Sequence, residues 1–144
     1  MDKIDRNIVT ILQKNADVTN AALAEQVNLS PSSCLRRVQR LKRTGVIKKT
    51  VAIIDDKVLG RNLIAVVEVD LDRHGAQAQA VLHERLRQEI SVTQAYGITG
   101  ESDCLLILKL ADMDEYRQVC ERLFNHDKNV IRFRTSFVMN VIQS

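Results

Sequence analysis

Tryptophan is absent from this 144-residue chain, proline occurs once, glycine five times, and cysteine and histidine three times each. No stretch approaches the roughly 20 apolar residues that a spanning helix needs, which leaves no membrane partner to expect. The opening Met1-Asp2-Lys3-Ile4-Asp5-Arg6 lacks the long apolar core of a secretory signal, so a soluble, cytoplasmic protein is expected. Cys34, Cys104 and Cys120 are odd in number, have no C-x-x-C spacing and sit inside apolar runs. They read as small buried thiols of a reduced compartment, not as disulfides or a zinc site. His74, His83 and His126 fall near predicted loops or exposed helix positions, and no Ser/His/Asp or Cys/His grouping can be assembled around them. No catalytic residue, metal ligand or cofactor is therefore expected. Internal repeats and low-complexity segments are also missing.

What is present is an uneven distribution of charge. The formal net charge is +3, yet residues 1–61 carry 12 Lys and Arg against 6 Asp and Glu, while residues 62–144 carry 9 against 12. Between Leu35 and Lys49 stand Arg36, Arg37, Arg40, Lys42, Arg43, Lys48 and Lys49 with no acid among them. Such a run is either a solvated helical face or an electrostatic footprint for phosphate, and local structure must decide.

Ile4, Ile8, Ile11 and Leu12 recur at helical spacing, which predicts a helix over Asp2 to Lys14. Thr19 is the N-cap of a two-turn helix reaching Gln26, and Ser30-Pro31 supplies an N-cap and a first-turn proline for a third helix. That helix runs to Thr44, where Gly45 can take the left-handed position that ends it. Leu35, Val38 and Leu41, with Cys34 beside them, form its packing stripe, and Arg36, Arg37, Arg40 and Arg43 share the opposite side. The β-branched run Val46 to Ile54 reads as one strand or a two-stranded wing. The expected organisation is a helix-turn-helix domain over 1–54, a linker over 55–61 and a second domain over 62–144.

The second domain reads as strand 63–71, helix 76–90, strands 92–99 and 104–110, helix 112–124 and strand 130–141. This βαββαβ order is the ferredoxin-like arrangement, four antiparallel strands with both helices on one face. Leu63 to Val67 and Leu105 to Leu108 are apolar on both alternating sets, so the face without helices needs a cover. A second copy of the chain is the simplest symmetric cover, and a homodimer is expected.

The run Leu29-Ser30-Pro31-Ser32-Ser33-Cys34-Leu35-Arg36-Arg37-Val38-Gln39-Arg40-Leu41 resembles the leucine-responsive and asparagine-responsive (Lrp/AsnC) regulators. Ile4-Asp5-Arg6-Asn7-Ile8, Leu12-Gln13, Gly45-Val46-Ile47 and Gly100-Glu101-Ser102-Asp103 follow in that family's order, so the likeness spans essentially the whole chain. The departures are Asn28 where the family often has glycine, Glu101 in a turn that usually reads Gly-Asp-x-Asp, and no longer N-terminal arm. The implied fold is α+β, a winged helix-turn-helix followed by a ferredoxin-like effector-binding domain. The implied function is a double-stranded-DNA-binding, nucleoid-associated transcription regulator, a homodimer assembling to tetramers or octamers.

A recognition helix enters the major groove by its N-terminal end, which makes Ser32, Ser33 and Arg36 the expected base readers. Arg37, Arg40, Arg43, Lys48 and Lys49 are the expected backbone contacts. The stretch Tyr96-Gly97-Ile98-Thr99-Gly100 and on to Asp103 is the expected effector turn: glycines let amides approach a carboxylate, and Asp103 can answer an ammonium. Equally, Asp103 can simply cap backbone amides in a tight turn. The resemblance adds Thr135 and Ser136 of the last strand, and Tyr96, Ile98 and Leu105 suit an apolar amino acid such as leucine or methionine. Two rivals stand: a haem-pathway decarboxylase built on a similar architecture, and an architectural DNA binder without an effector.

Overall fold

The computed structural model describes residues 1–72 and 75–142; His74, read above as a loop histidine, lies outside them. The chain divides into two compact units, Met1–Ile53 and Ile54–Ser144.

The first unit is three helices, α1 (Lys3–Lys14), α2 (Asn20–Gln26) and α3 (Pro31–Arg43). Each begins on a side chain that accepts an otherwise unpaired amide: Asp2 from Asp5 N, Thr19 from Ala22 N and Ser30 from Ser33 N. Between α2 and α3 the chain turns at Asn28 with φ 53°, the left-handed position that asparagine tolerates best among non-glycine residues. Asn20 Nδ2 donates to Pro31 C=O at 2.8 Å, which ties the start of α2 to the start of α3. Ile8, Leu23, Ala24, Val27, Cys34 and Leu41 fill the space between the helices, and each fully buried Leu or Ile contributes about 1.5–3 kcal/mol. The packing stripe of α3 is therefore Cys34, Val38 and Leu41; Leu35, expected in it, is 46% exposed because it stands one helical step to the side.

Beyond Gly45, which turns with φ 75°, the strand expected over 46–54 does not form among the described residues. The segment bends at Val46 and Ile47 and then runs without a strand partner among the described residues, and β-propensity alone makes no ladder. Residues 55–61 are fastened to the second unit. Asp56 pairs with Lys109 Nζ at 2.7 Å, while Arg61 bonds Glu115, the Ser91 hydroxyl and Lys109 C=O.

The second unit holds β1 (Leu63–Leu71), α4 (Ala76–Gln88), β2 (Val92–Gly97), β3 (Cys104–Leu110), α5 (Met113–Cys120) and β4 (Val130–Phe137). A π-helical turn, Glu121–Asn125, closes α5, where an unbroken helix to Phe124 was expected. The sheet order is β2-β3-β1-β4 with every neighbouring pair antiparallel, the expected ferredoxin-like arrangement. One face carries Ala65, Val67, Val69, Leu106 and Leu108 against Leu82, Leu86, Val119, Leu123 and Phe124, all nearly inaccessible. All three cysteines are free and buried, and no described helix is long and apolar enough to cross a membrane.

Candidate functional site

In the first unit the basic residues of α3 divide into two kinds. Arg36 and Arg43 are exposed and make no ion pair among the described residues, and Lys48 and Lys49 beyond the helix are exposed as well; Arg40 is exposed but paired. Arg37 and Arg40 face α1: Arg37 Nη1 lies 2.9 Å from Asp5 and 2.6 Å from Asp2, and Arg40 Nη2 lies 2.6 Å from Asp5. Burial works to raise the Asp5 carboxyl, but hydrogen bonds from Arg37 and the Asp2 amide, with the Arg40 charge, leave it below the usual carboxylate range. Arg36, Arg37, Gln39, Arg40 and Arg43 line a notch of about 430 Å³ on the outer side of α3. Ser32 is exposed at the helix start with its hydroxyl 3.3 Å from that of Ser30, whereas Ser33 is half-buried. The arrangement presents a capped helix end with two hydroxyls and one arginine, backed by uncommitted cations, to any polyanion that approaches α3.

In the second unit, β2 and β3 are joined by a turn over 98–103. Gly100 sits there at φ 126°, a conformation that side-chain-bearing residues rarely adopt, with open space where a Cβ would stand. Asp103 pins the turn to β1: its amide donates to Val69 C=O at 3.0 Å, and its carboxylate accepts the buried Leu71 amide at 2.7 Å. The backbone-capping role open to Asp103 in the sequence is thus present in the fold. Tyr96, Gly97, Ile98, Thr99, Gly100, Asp103 and Leu105 come together in this one hairpin, with Tyr96 opposite Leu105 and Gly97 opposite Cys104. A cavity of about 380 Å³ opens beside Tyr96 and Gly97, lined by Leu86, Cys104 and Leu106 and bordered by His83 and Arg87.

Thr135 and Ser136 are placed differently. They lie on β4, at the opposite edge of the sheet from β2, so three strand spacings of roughly 4.8 Å separate their strand from it. Ser136 pairs with Val66 and shares the helix-free face with Tyr96 and Leu105, whereas Thr135 pairs with the fully buried Val67 and bonds the Tyr116 hydroxyl at 2.7 Å. Within one chain neither side chain joins the turn: Thr135 points to the helix side, and Ser136, though on the open face, stands on the far edge strand.

Residues not singled out from the sequence do reach the turn. Arg134 Nη2 donates to the Ser102 hydroxyl at 2.9 Å and pairs with Glu68 at 3.0 Å, while Arg132 pairs with Asp70 at 2.7 Å. The Ser102 hydroxyl and Arg132 hold the Asp70 carboxyl below the usual range. The signal was available: two acids two residues apart on one strand and two arginines two residues apart on another make a cross-strand ladder once the register is known.

A model described as winged helix-turn-helix DNA-binding matches residues 1–48, and one described as the Lrp/AsnC ligand binding domain matches residues 64–144. An uncharacterised HTH-type transcriptional regulator of Haemophilus influenzae is 36% identical over 97% of this chain and 83% of its own length. The leucine-responsive regulatory protein of Escherichia coli is 31% identical over 99% of this chain and 87% of its own. Among solved structures, a transcriptional regulator of Neisseria meningitidis in complex with L-methionine superposes with a TM-score of 0.92 at 30% identity, covering 100% of this chain and 93% of that one. An AsnC-family regulator of Agrobacterium tumefaciens superposes equally well, TM-score 0.92 at 27% identity, over 100% and 94%. These matches span both units with the same helix-turn-helix and ferredoxin-like folds, and they exclude the decarboxylase rival: the chain belongs to the Lrp/AsnC family and is a DNA-binding transcription regulator, not an enzyme.

Proposed function

We propose that α3 is the recognition helix and that Ser32, Ser33 and Arg36 read base edges of double-stranded DNA in the major groove. Arg43, Lys48 and Lys49 hold phosphates on either side, with the outward donors of Arg37 and Arg40 in the same notch. The observation that carries this reading is the single exposed cationic face of α3, which begins at a capped, serine-lined helix end. In the second unit the 98–103 turn receives the charged end of an apolar amino acid, leucine or methionine. Tyr96, Ile98 and Leu105 line it, and Asp103 fixes the turn backbone. The leucine-responsive relatives and the L-methionine complex of the Neisseria protein support that choice.

Ser136 joins this site only from a second copy, which suits a homodimer closed over the helix-free face. There Ile64, Val66, Leu105 and Ile107 are half-buried beside the Glu68–Arg134 and Asp70–Arg132 pairs, a surface of mixed charge that matches itself under two-fold symmetry. Such dimers assemble to tetramers or octamers in the cytoplasm, on the nucleoid. Two recognition helices then meet half-sites about one helical turn apart.

The test is a salt series of fluorescence-anisotropy titrations on a duplex that the wild-type chain selects from a random pool. Arg36→Gln is expected to weaken binding to it by about 1–3 kcal/mol and to leave the salt slope unchanged. A slope shallower by ~0.9 with equal loss on all duplexes would make Arg36 a phosphate contact instead. Binding by Arg36→Gln equal to wild type would remove α3 from the interface.

A further inference from the structure

Asp5 is the one charged side chain buried in the first unit, 2% exposed, and it lies on α1, bonded to Arg37 and Arg40, which also line the notch on α3. A carboxylate is taken out of water only where partners replace its hydration. Here three donors do so: Arg37 on Oδ1, and Arg40 and the Asp2 amide on Oδ2. Asp2 adds a second carboxylate to Arg37, and the Asp2 and Asp5 side chains cap each other's backbone amides at the start of α1. The four side chains form a closed, net-neutral quartet that joins the first turn of one helix to the middle of another.

Two features make this more than a surface ion pair. Arg37 and Arg40 are three residues apart and so share one stripe of α3. A one-residue rotation of the helix swings that stripe by about 100° and breaks both pairs at once. In addition, Arg37, 26% exposed, and Arg40, 47% exposed, are both ion-paired, whereas the exposed Arg36 and Arg43 make no ion pair among the described residues. Four arginines that look equivalent in the sequence therefore differ in what their charge is already bound to.

We propose that Asp5 is a positioning residue for DNA recognition: it indexes α3 through Arg37 and Arg40 and masks part of their charge, leaving Arg43, Lys48 and Lys49 to supply most of the phosphate attraction. This rests on the reading of α3 as the recognition helix. It predicts that Asp5 governs the ratio of selective to unselective binding and not affinity as such. Removing the negative charge frees about one cation for the DNA and at the same time loosens the pose of the base readers.

The test uses the full chain, with the selected duplex and poly(dI-dC) as probes over a salt series, and far-UV circular dichroism to check folding. Asp5→Asn is expected to bind poly(dI-dC) more tightly, to steepen the salt slope by ~0.9, and to lose roughly tenfold in the ratio between the probes. Arg37→Lys keeps the charge, but its Nζ ends one bond short of the Nη1 that meets both Asp2 and Asp5, so the contact that fixes α3 on α1 is lost or lengthened. It is expected to lose ratio at an unchanged slope, and it decides the matter alone if Asp5→Asn does not fold. A ratio at the wild-type value in Arg37→Lys overturns the proposal, since lysine serves a plain phosphate contact equally well. Parallel loss on both probes in Asp5→Asn also overturns it, because that is the mark of a merely structural acid. Arg36→Gln, run alongside, separates the failures: if it leaves the selected duplex bound as before, the recognition-helix reading fails; if it weakens that binding while the other two variants match wild type, only the role of Asp5 fails.

Discussion

At the scale of single residues, the two acids that carry most of the argument are both partnered, with different consequences. Asp5 is surrounded by arginines, so its effect is electrostatic and felt at the DNA face. Asp103 answers the Leu71 amide, which lies on a residue only 4% exposed. Removing that carboxylate leaves a buried donor without its acceptor, a loss of about 1–3 kcal/mol. Asp103→Ala is accordingly expected to lower stability by that amount in chemical denaturation, with no effector present. A variant as stable as wild type would mean that the Leu71 amide finds another acceptor and that Asp103 is kept for its ligand alone. The cysteines belong to the same scale: burial pushes the Cys34, Cys104 and Cys120 thiols up, away from the reactive thiolate, as expected of packing residues.

At the scale of elements, what could be read from the sequence was whatever depends on neighbours close along the chain. The caps at Thr19 and Ser30, the left-handed turns at Asn28 and Gly45, and the bounds of β1 and β3 follow from local chemistry and alternation. The 46–54 segment did not, because a β-branched run reports a willingness to pair and not the presence of a partner. Thr135 and Ser136 entered through the family resemblance, and only the β1–β4 register shows that one faces Tyr116 and the other the open side. The double commitment of Arg37 joins residues more than thirty apart, beyond the reach of any helical period. The open sheet face is the element-scale feature with a direct test. Val66 and Ile107 are cross-strand neighbours on it, half-buried in one chain. A charge placed there opposes burial against a second copy while leaving the helix-side core untouched. Val66→Glu is expected to sediment as a monomer where the wild-type chain sediments as a dimer or larger. A wild-type monomer, or a variant that assembles normally, would move the interface elsewhere.

At the scale of the whole molecule, the chain joins a DNA-binding unit to a unit that matches the Lrp/AsnC ligand binding domain. Residues 55–61 belong to the second unit and are bonded within it through Asp56, Lys109, Arg61, Ser91 and Glu115. Backbone and side-chain bonds to Glu115, the Ala111 amide first among them, outweigh its burial and hold its carboxyl below the usual carboxylate range. A ligand regulates such a molecule only if it binds one assembly or geometry better than another. The account therefore stands on whether the second unit takes an amino acid at all. The most direct measurement is a calorimetric titration of ligand-stripped full-length protein with each of the twenty amino acids. Saturable binding confined to a few apolar ones, with leucine or methionine among them, is the predicted result. Heats of dilution alone for all twenty would contradict the effector assignment and leave an architectural DNA binder as the better description of this chain.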